Sequence, residues 1–130
     1  MPLKLVLRPG EKVVVNQAVM LNGGDKAELV LENKARILRE RDIMSEGGAD
    51  TPAKRVYFIV QMLYLFPDKT RDYQEKFNLL IRDFVSAAPS SLPLILDIGK
   101  RIVVDDVYGA LRLCRKLISY EKEVLKYATQ

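Results

Sequence analysis

The sequence predicts an α+β protein: a small antiparallel β unit of about five short strands over residues 1–45, then an α-helical bundle of about four helices over residues 51–130. Three observations carry this. Apolar residues alternate with polar ones along the front of the chain. They recur at spacings of three and four from residue 52 onward. The Gly/Ser/acid-rich stretch SEGGADTP (45–52) separates the two patterns.

LKLVLR (3–8) sets Leu3, Leu5 and Leu7 against Lys4, Val6 and Arg8, the period of a half-buried strand. Pro9-Gly10 marks a turn. Residues 11–15 read as a second strand, Asn16-Gln17 as a polar corner, and residues 18–21 as a third strand. NGGD (22–25) is a hairpin signal, because Asn-Gly and Gly-Gly readily supply positive φ. AELVLE (27–32) follows as a fourth strand with Ala27, Leu29 and Leu31 on one face. NKARILRERDIM admits a helix capped by Asn33 or a strand over residues 35–39; the strand is preferred because the preceding hairpin leaves an edge to be paired.

Thr51 suits an N-cap with Pro52 at the first helical position, and Val56, Ile59, Val60 and Leu63 then form a stripe that stops at Pro67. A second helix after Asp68 carries Tyr73, Phe77, Leu80, Ile81 and Phe84. After AAPSSLP, Ser90 or Ser91 can cap a third helix bearing Leu92, Ile95, Leu96, Ile102 and Val103. Asp105-Asp106 suit the start of a fourth helix that runs to about Tyr127. The aromatics follow helical spacing and are expected in the core.

Composition narrows function. The chain has no histidine, which removes the commonest near-neutral acid–base group, the Ser/His and Cys/His nucleophile pairs and the commonest transition-metal ligand. Gly23-Gly24 and Gly47-Gly48 are simple loop pairs, and no phosphate-binding glycine loop is present. The expectation is a binding protein without catalysis, metal or cofactor. A single cysteine, Cys114, fits a reducing cytoplasm, and neither a membrane span nor a secretory leader is expected. Net charge is +4, but it is uneven: residues 1–50 hold eight Lys/Arg and eight Asp/Glu, and residues 51–130 hold thirteen against nine. Within the neutral half, KARILRER (34–41) gathers Lys34, Arg36, Arg39 and Arg41 against Glu40 alone.

MPLKLVLRPGEKVVVNQAVMLNG, VLENKARILRERDIM, TPAKRVYFIVQMLYL and YGALRLCRKLISYE together resemble the FlbT family, in order and over nearly the whole chain. The resemblance implies a regulator of flagellin synthesis that acts on the 5′ untranslated leader of flagellin messenger RNA, changing its translation and lifetime. It also implies pairing with, or opposition by, a FlaF-like protein. The order strand–RPGE–strand–NQAV–strand–NGGD–strand–ILRER is further similar to carbon storage regulators of the CsrA type, which bind messenger-RNA leaders as strand-swapped dimers, so a homo-oligomer is open. Arg39 looks like the RNA-contacting arginine of that family. The chain departs from the pattern by one extra residue before Ile43, so Arg41 competes for the role, and by Leu7 where a first-strand arginine is usual.

Arg36, Arg39 and Arg41 are therefore the main RNA-binding candidates, with Lys4, Arg8 and Lys12 as a second set. Alternation puts Arg39 and Arg41 on the face of Ile37. Lys54 and Arg55 lie in a first helical turn, where the helix dipole disfavours cations, which points to a contact with RNA or a partner. In the last helix Val107, Leu111, Cys114, Ile118 and Leu125 form an apolar stripe interrupted at Glu121. Its default use is bundle packing; the alternative is docking of a FlaF-like protein or flagellin by an adaptor or chaperone without direct RNA contact.

Overall fold

The structure is a computed structural model that describes residues 3–128. The chain divides into two compact units, Met1–Ile43 and Met44–Gln130. Among its described residues the first holds five strands, β1 (Leu3–Leu7), β2 (Lys12–Val15), β3 (Ala18–Leu21), β4 (Ala27–Leu31) and β5 (Ile37–Arg39). Among the described residues they form two antiparallel sheets, β1–β4 and β3–β2–β5.

Leu5 and Leu7 of β1 turn inward, whereas Leu3 at the strand's start is 47% exposed. Leu3, Leu5 and Leu7 stand opposite Leu31, Leu29 and Ala27. Leu5, Leu7 and Val13 are buried, and Val15, Leu29, Leu31 and Ile37 pack against them. The alternation of the sequence is thus the alternation of a two-sided sheet. Asn16-Gln17 closes the β2–β3 hairpin, with Asn16 at φ 56°, a left-handed conformation that asparagine tolerates.

NGGD does not form the hairpin its composition suggests. β3 and β4 belong to different sheets, and residues 22–26 cross between them. Asn22 accounts for this. Its Nδ2 donates to the carbonyls of Leu7, Arg8 and Asp25 at 3.2, 3.0 and 2.9 Å. The Gly10 N–H donates to its carbonyl at 2.8 Å, and its own N–H donates to the carbonyl of Glu11 at 3.0 Å. The crossover is bound to the β1–β2 turn, and a local hairpin would forgo these bonds. β5 likewise pairs with β2, not with β4. It ends at Arg39, where Glu40–Asp42 turn into a short 3-10 helix, so Arg41 leaves the strand face that alternation assigns it.

The second unit holds α1 (Pro52–Leu65), α2 (Thr70–Ala87), α3 (Leu92–Val103) and α4 (Val107–Ala128). α4 packs on α1 and α3, and α2 packs on α1. Val56, Val60, Phe77, Ile98, Leu111, Cys114 and Leu117 are fully enclosed, each large side chain contributing about 1.5–3 kcal/mol on burial. Burial also pushes the Cys114 thiol far up, which leaves it a small apolar filler. Tyr57, Phe77 and Phe84 are core aromatics, but Phe58, Tyr64, Phe66 and Tyr73 are only half-buried. None of the described helices is long and apolar enough to cross a membrane.

The apolar stripe of α3 differs from expectation, and that of α4 takes its default use in packing. On α3 the buried positions are Ile95 and Ile98, whereas Leu92, Leu96 and Val103 are exposed, Val103 by 85%. Two overlapping stripes exist on this helix, and packing against α4 selects one of them. Ser91 Oγ donates to the Ala88 carbonyl at 2.7 Å and makes no cap. On α4 Val107 and Leu111 are buried with Cys114 and Leu117, Ile118 is half-buried, and of the four candidate partner residues Leu125 alone is exposed. The bundle consumes the stripe offered for a partner.

Glu121, the apparent interruption, has a structural role. Its Oε2 accepts the Ala53 N–H at 2.8 Å from 68 residues away, while Thr51 Oγ1 accepts the Lys54 N–H at 3.2 Å. Pro52 has no N–H, and the Arg55 N–H reaches the Thr51 carbonyl at 2.9 Å, so the first turn of α1 is satisfied. Gln61, also buried, accepts the Met44 N–H and donates to its carbonyl at 2.8 and 2.9 Å, which attaches the start of the linker to α1. Replacing Glu121→Ala orphans a buried N–H and is expected to cost about 1–3 kcal/mol in urea denaturation, with Glu121→Gln losing less because an acceptor remains. Equal losses for the two variants would contradict the capping role.

Candidate nucleic-acid interface

A concavity of about 750 Å³ lies within the β unit, lined by Val6, Arg8, Pro9, Gly10, Glu11, Lys26, Arg39, Glu40 and Arg41. The RPGE segment builds its floor. Proline stands second and glycine third in the turn, Gly10 has φ 75°, and the Glu11 N–H closes onto the Arg8 carbonyl at 3.1 Å. Only glycine adopts that φ without strain. The Glu11 carboxylate then turns back across the turn and accepts the Arg8 N–H at 2.9 Å.

Arg39 reaches this carboxylate from β5. Its Nη2 donates to Glu11 Oε2 at 3.0 Å, to Oε1 at 3.3 Å and to the Val6 carbonyl at 2.6 Å. One guanidinium thereby bridges β1, the β1–β2 turn and β5. The Arg8 N–H and the Arg39 guanidinium hold the Glu11 carboxyl below its usual range. Arg39 is consequently a brace, and Arg8, Lys26 and Arg41 are the exposed cations that line the same concavity.

The sequence candidates divide accordingly. Arg8, Arg39 and Arg41 come together. Arg36 does not line the concavity; its backbone pairs with Asn16, the Arg36 N–H donating to Asn16 Oδ1 at 3.0 Å and its carbonyl accepting the Asn16 N–H at 2.7 Å. Lys4 lies on the outer face of β1 in an exposed ion pair with Glu28 at 3.2 Å, and Lys12 is also outside the concavity. Lys26 is an addition: it stands after NGGD in sequence, and only the crossover held by Asn22 carries it to the β1–β2 turn.

In the helical unit Lys54 pairs with Asp50 at 3.3 Å. That carboxylate and Glu121 supply negative charge at the N-terminus of α1, which explains why cations are tolerated there. Arg55 lines a separate groove of about 790 Å³ between α1 and α2 with Phe58, Met62, Phe66, Tyr73 and Leu80. Among the described residues, no group of three or more Cys, Asp or Glu side chains is placed to hold a metal ion.

Fold and concavity define a two-unit α+β protein whose β unit gathers Arg8, Lys26, Arg39 and Arg41 with Glu11 and Glu40 around one concavity. The chain belongs to the FlbT family: the family described as "Flagellar protein FlbT" matches residues 3–125. It is 44% identical to the "Probable flagellum biosynthesis repressor protein FlbT" of Caulobacter sp. (strain K31), over 99% of this chain and all of that relative. It is 43% identical to the "Flagellum biosynthesis repressor protein FlbT" of Caulobacter vibrioides (strain ATCC 19089 / CIP 103742 / CB 15), over 99% of this chain and 93% of that relative. A relative from Bradyrhizobium diazoefficiens, "Probable flagellum biosynthesis repressor protein FlbT 1", is 43% identical over 95% of this chain and 85% of its own. No solved structure matches.

Because folding lowers the Glu11 pKa, the brace contributes fully at pH above the ordinary value of 4.5 and fades as pH falls through the lowered one. Replacing Arg39→Ala is expected to move the Glu11 titration part of the way back toward 4.5, with the Arg8 N–H retaining the rest. NMR titration of the side-chain carboxyl reads this directly. No movement would mean that the guanidinium does not brace the carboxylate.

Proposed function

We propose that this protein is a cytoplasmic, non-enzymatic regulator of flagellin synthesis that binds the 5′ untranslated leader of flagellin messenger RNA and alters its translation and stability. The observation that carries the reading is the convergence of Arg8, Lys26, Arg39 and Arg41 on one concavity of the β unit. Guanidinium and ammonium groups at fixed spacing neutralise phosphates, and an arginine plane also stacks on unpaired bases. Membership of a family whose relatives are named flagellum biosynthesis repressors supports the biological side. Bound near the start site, the protein would obstruct ribosomes or change nuclease access with no covalent chemistry of its own.

A second reading has its own observation. The α1–α2 groove presents Phe58, Met62, Phe66 and Tyr73 half-exposed, with Leu79 largely exposed. It suits an apolar helical segment of a FlaF-like protein or flagellin, which would make this protein an adaptor. Salt separates the two, since phosphate contacts release counterions and apolar contacts do not.

Lys26→Ala with Arg41→Ala tests the first reading without removing the Arg39 brace. Binding to a flagellin leader RNA is expected to weaken with salt in the wild type, and to fall about tenfold or more in the double variant at low salt, about 1.4 kcal/mol or more. Wild-type affinity in the variant would reject the concavity as the RNA site. Arg39→Ala should weaken binding further by releasing the turn.

A further inference from the structure

We infer that the exposed face of α4, together with the end of α3, is a second contact for RNA phosphates, on the helical unit. The inference rests on the proposed RNA-binding role and adds a surface to it. Burial of Val107, Ala110, Leu111, Cys114, Leu117 and Glu121 fixes which way α4 faces. The opposite side carries Tyr108, Arg112, Arg115, Lys116, Lys122 and Lys126, all exposed, and Glu123 as its one acid. From Arg112 to Lys126 this stripe runs about 21 Å at ~1.5 Å per residue, long enough for several successive phosphates.

The α3–α4 corner adds a concavity of about 450 Å³ at one end of the stripe, lined by Arg101, Asp106, Tyr108, Arg112, Arg115 and Lys116 among others. Its geometry follows from the chain reversal. Asp105 sits at φ 61°, its N–H donates to the Ile102 carbonyl at 3.1 Å, and the Asp106 N–H donates to the Arg101 carbonyl at 2.7 Å. This is the left-handed helix end that sets residues 101 and 106 side by side. The Asp106 carboxylate is already engaged, accepting the Gly109 N–H at 3.0 Å through Oδ1 and the Arg101 Nη1 at 3.0 Å through Oδ2. Tyr108 is 41% exposed, with its ring braced 5.7 Å from that of Tyr64. An aromatic among cations is what single-stranded nucleic acid uses for stacking.

Solubility alone does not account for this face. The exposed residues of α2 include Arg71, Asp72, Glu75, Lys76, Arg82 and Asp83, three of each sign, as a merely solvated helix mixes them. On α4 Arg112 and Lys116 are a like-charge pair four apart, an arrangement that weakens a helix. The dipole favours Lys126 near the C-terminus but not Arg112, Arg115 or Lys116 in the middle. A polyanion laid along the helix resolves the repulsion.

The test uses the full chain, a flagellin leader RNA and Arg112→Gln/Lys116→Gln/Lys122→Gln beside Lys26→Ala/Arg41→Ala. The α4 variant should unfold at the wild-type temperature and bind at least tenfold more weakly at low salt. Its slope of log K against log salt should be shallower by about 2, at about 0.7 per lost phosphate contact. Wild-type affinity and slope in the α4 variant, with loss in the β-unit variant, would overturn this inference and leave the β-unit site standing. The reverse would sustain α4 and overturn the concavity. A wild type with no RNA affinity at low salt would overturn both. Unchanged RNA binding with lost retention on immobilised polyglutamate would assign the face to an acidic protein and overturn the RNA contact.

Discussion

The carboxylate of Glu11 is the constraint on which the β unit's candidate site depends. Short strands and a core centred on Leu5, Leu7 and Val13 cannot by themselves orient long cationic side chains. Glu11 accepts from the Arg8 backbone and from Arg39 at once. It thereby ties the PG turn to β5, and Arg39 extends the tie to the Val6 carbonyl of β1; Arg8 projects from beside that turn, Arg39 from β5 and Arg41 from the 3-10 turn that follows it. Arg39 gives up part of its hydrogen-bonding capacity to this brace, and in exchange the surrounding cations share a fixed frame.

A buried carboxylate plays the corresponding part in the helical unit. Glu121 costs α4 an apolar position, but it completes the first turn of α1, where proline, threonine and a distant acid divide the work of capping. The same contact sets the rotation of α4. Once Leu111, Cys114, Leu117 and Glu121 face inward, the basic residues of the helix have no place but the outer face. Packing and surface charge are one decision here, and the surplus of cations in residues 51–130 becomes a stripe because of it.

Much of the fold was legible, and in particular places. The leucine alternation of β1, the PG turn, Thr51-Pro52 at the start of α1 and Pro67 at its end all act through neighbours in sequence, so local chemistry suffices to read them. NGGD misled because local turn propensity competes with long-range hydrogen bonding, and Asn22 has its partners in the β1–β2 turn, 14 and 15 residues away. α3 misled because two apolar stripes overlap on one short helix and periodicity cannot choose between them. Arg8, Arg39 and Arg41 were readable as cations on or beside strands; that they surround one concavity was not.

By itself, then, the sequence determined the order and type of the elements, the break between the two patterns, the absence of histidine chemistry and the identity of the cations. Each of these depends on residue type and on separations of a few positions. Only the tertiary structure decided that Glu121 is a cap, that Lys26 joins the β1–β2 turn, that Arg36 and Lys4 stand outside the concavity, and that α4 turns a basic face outward. Each of those depends on which distant segment arrives beside a residue. That is settled by burial and by satisfying backbone hydrogen bonds across the whole unit, quantities no local spacing contains.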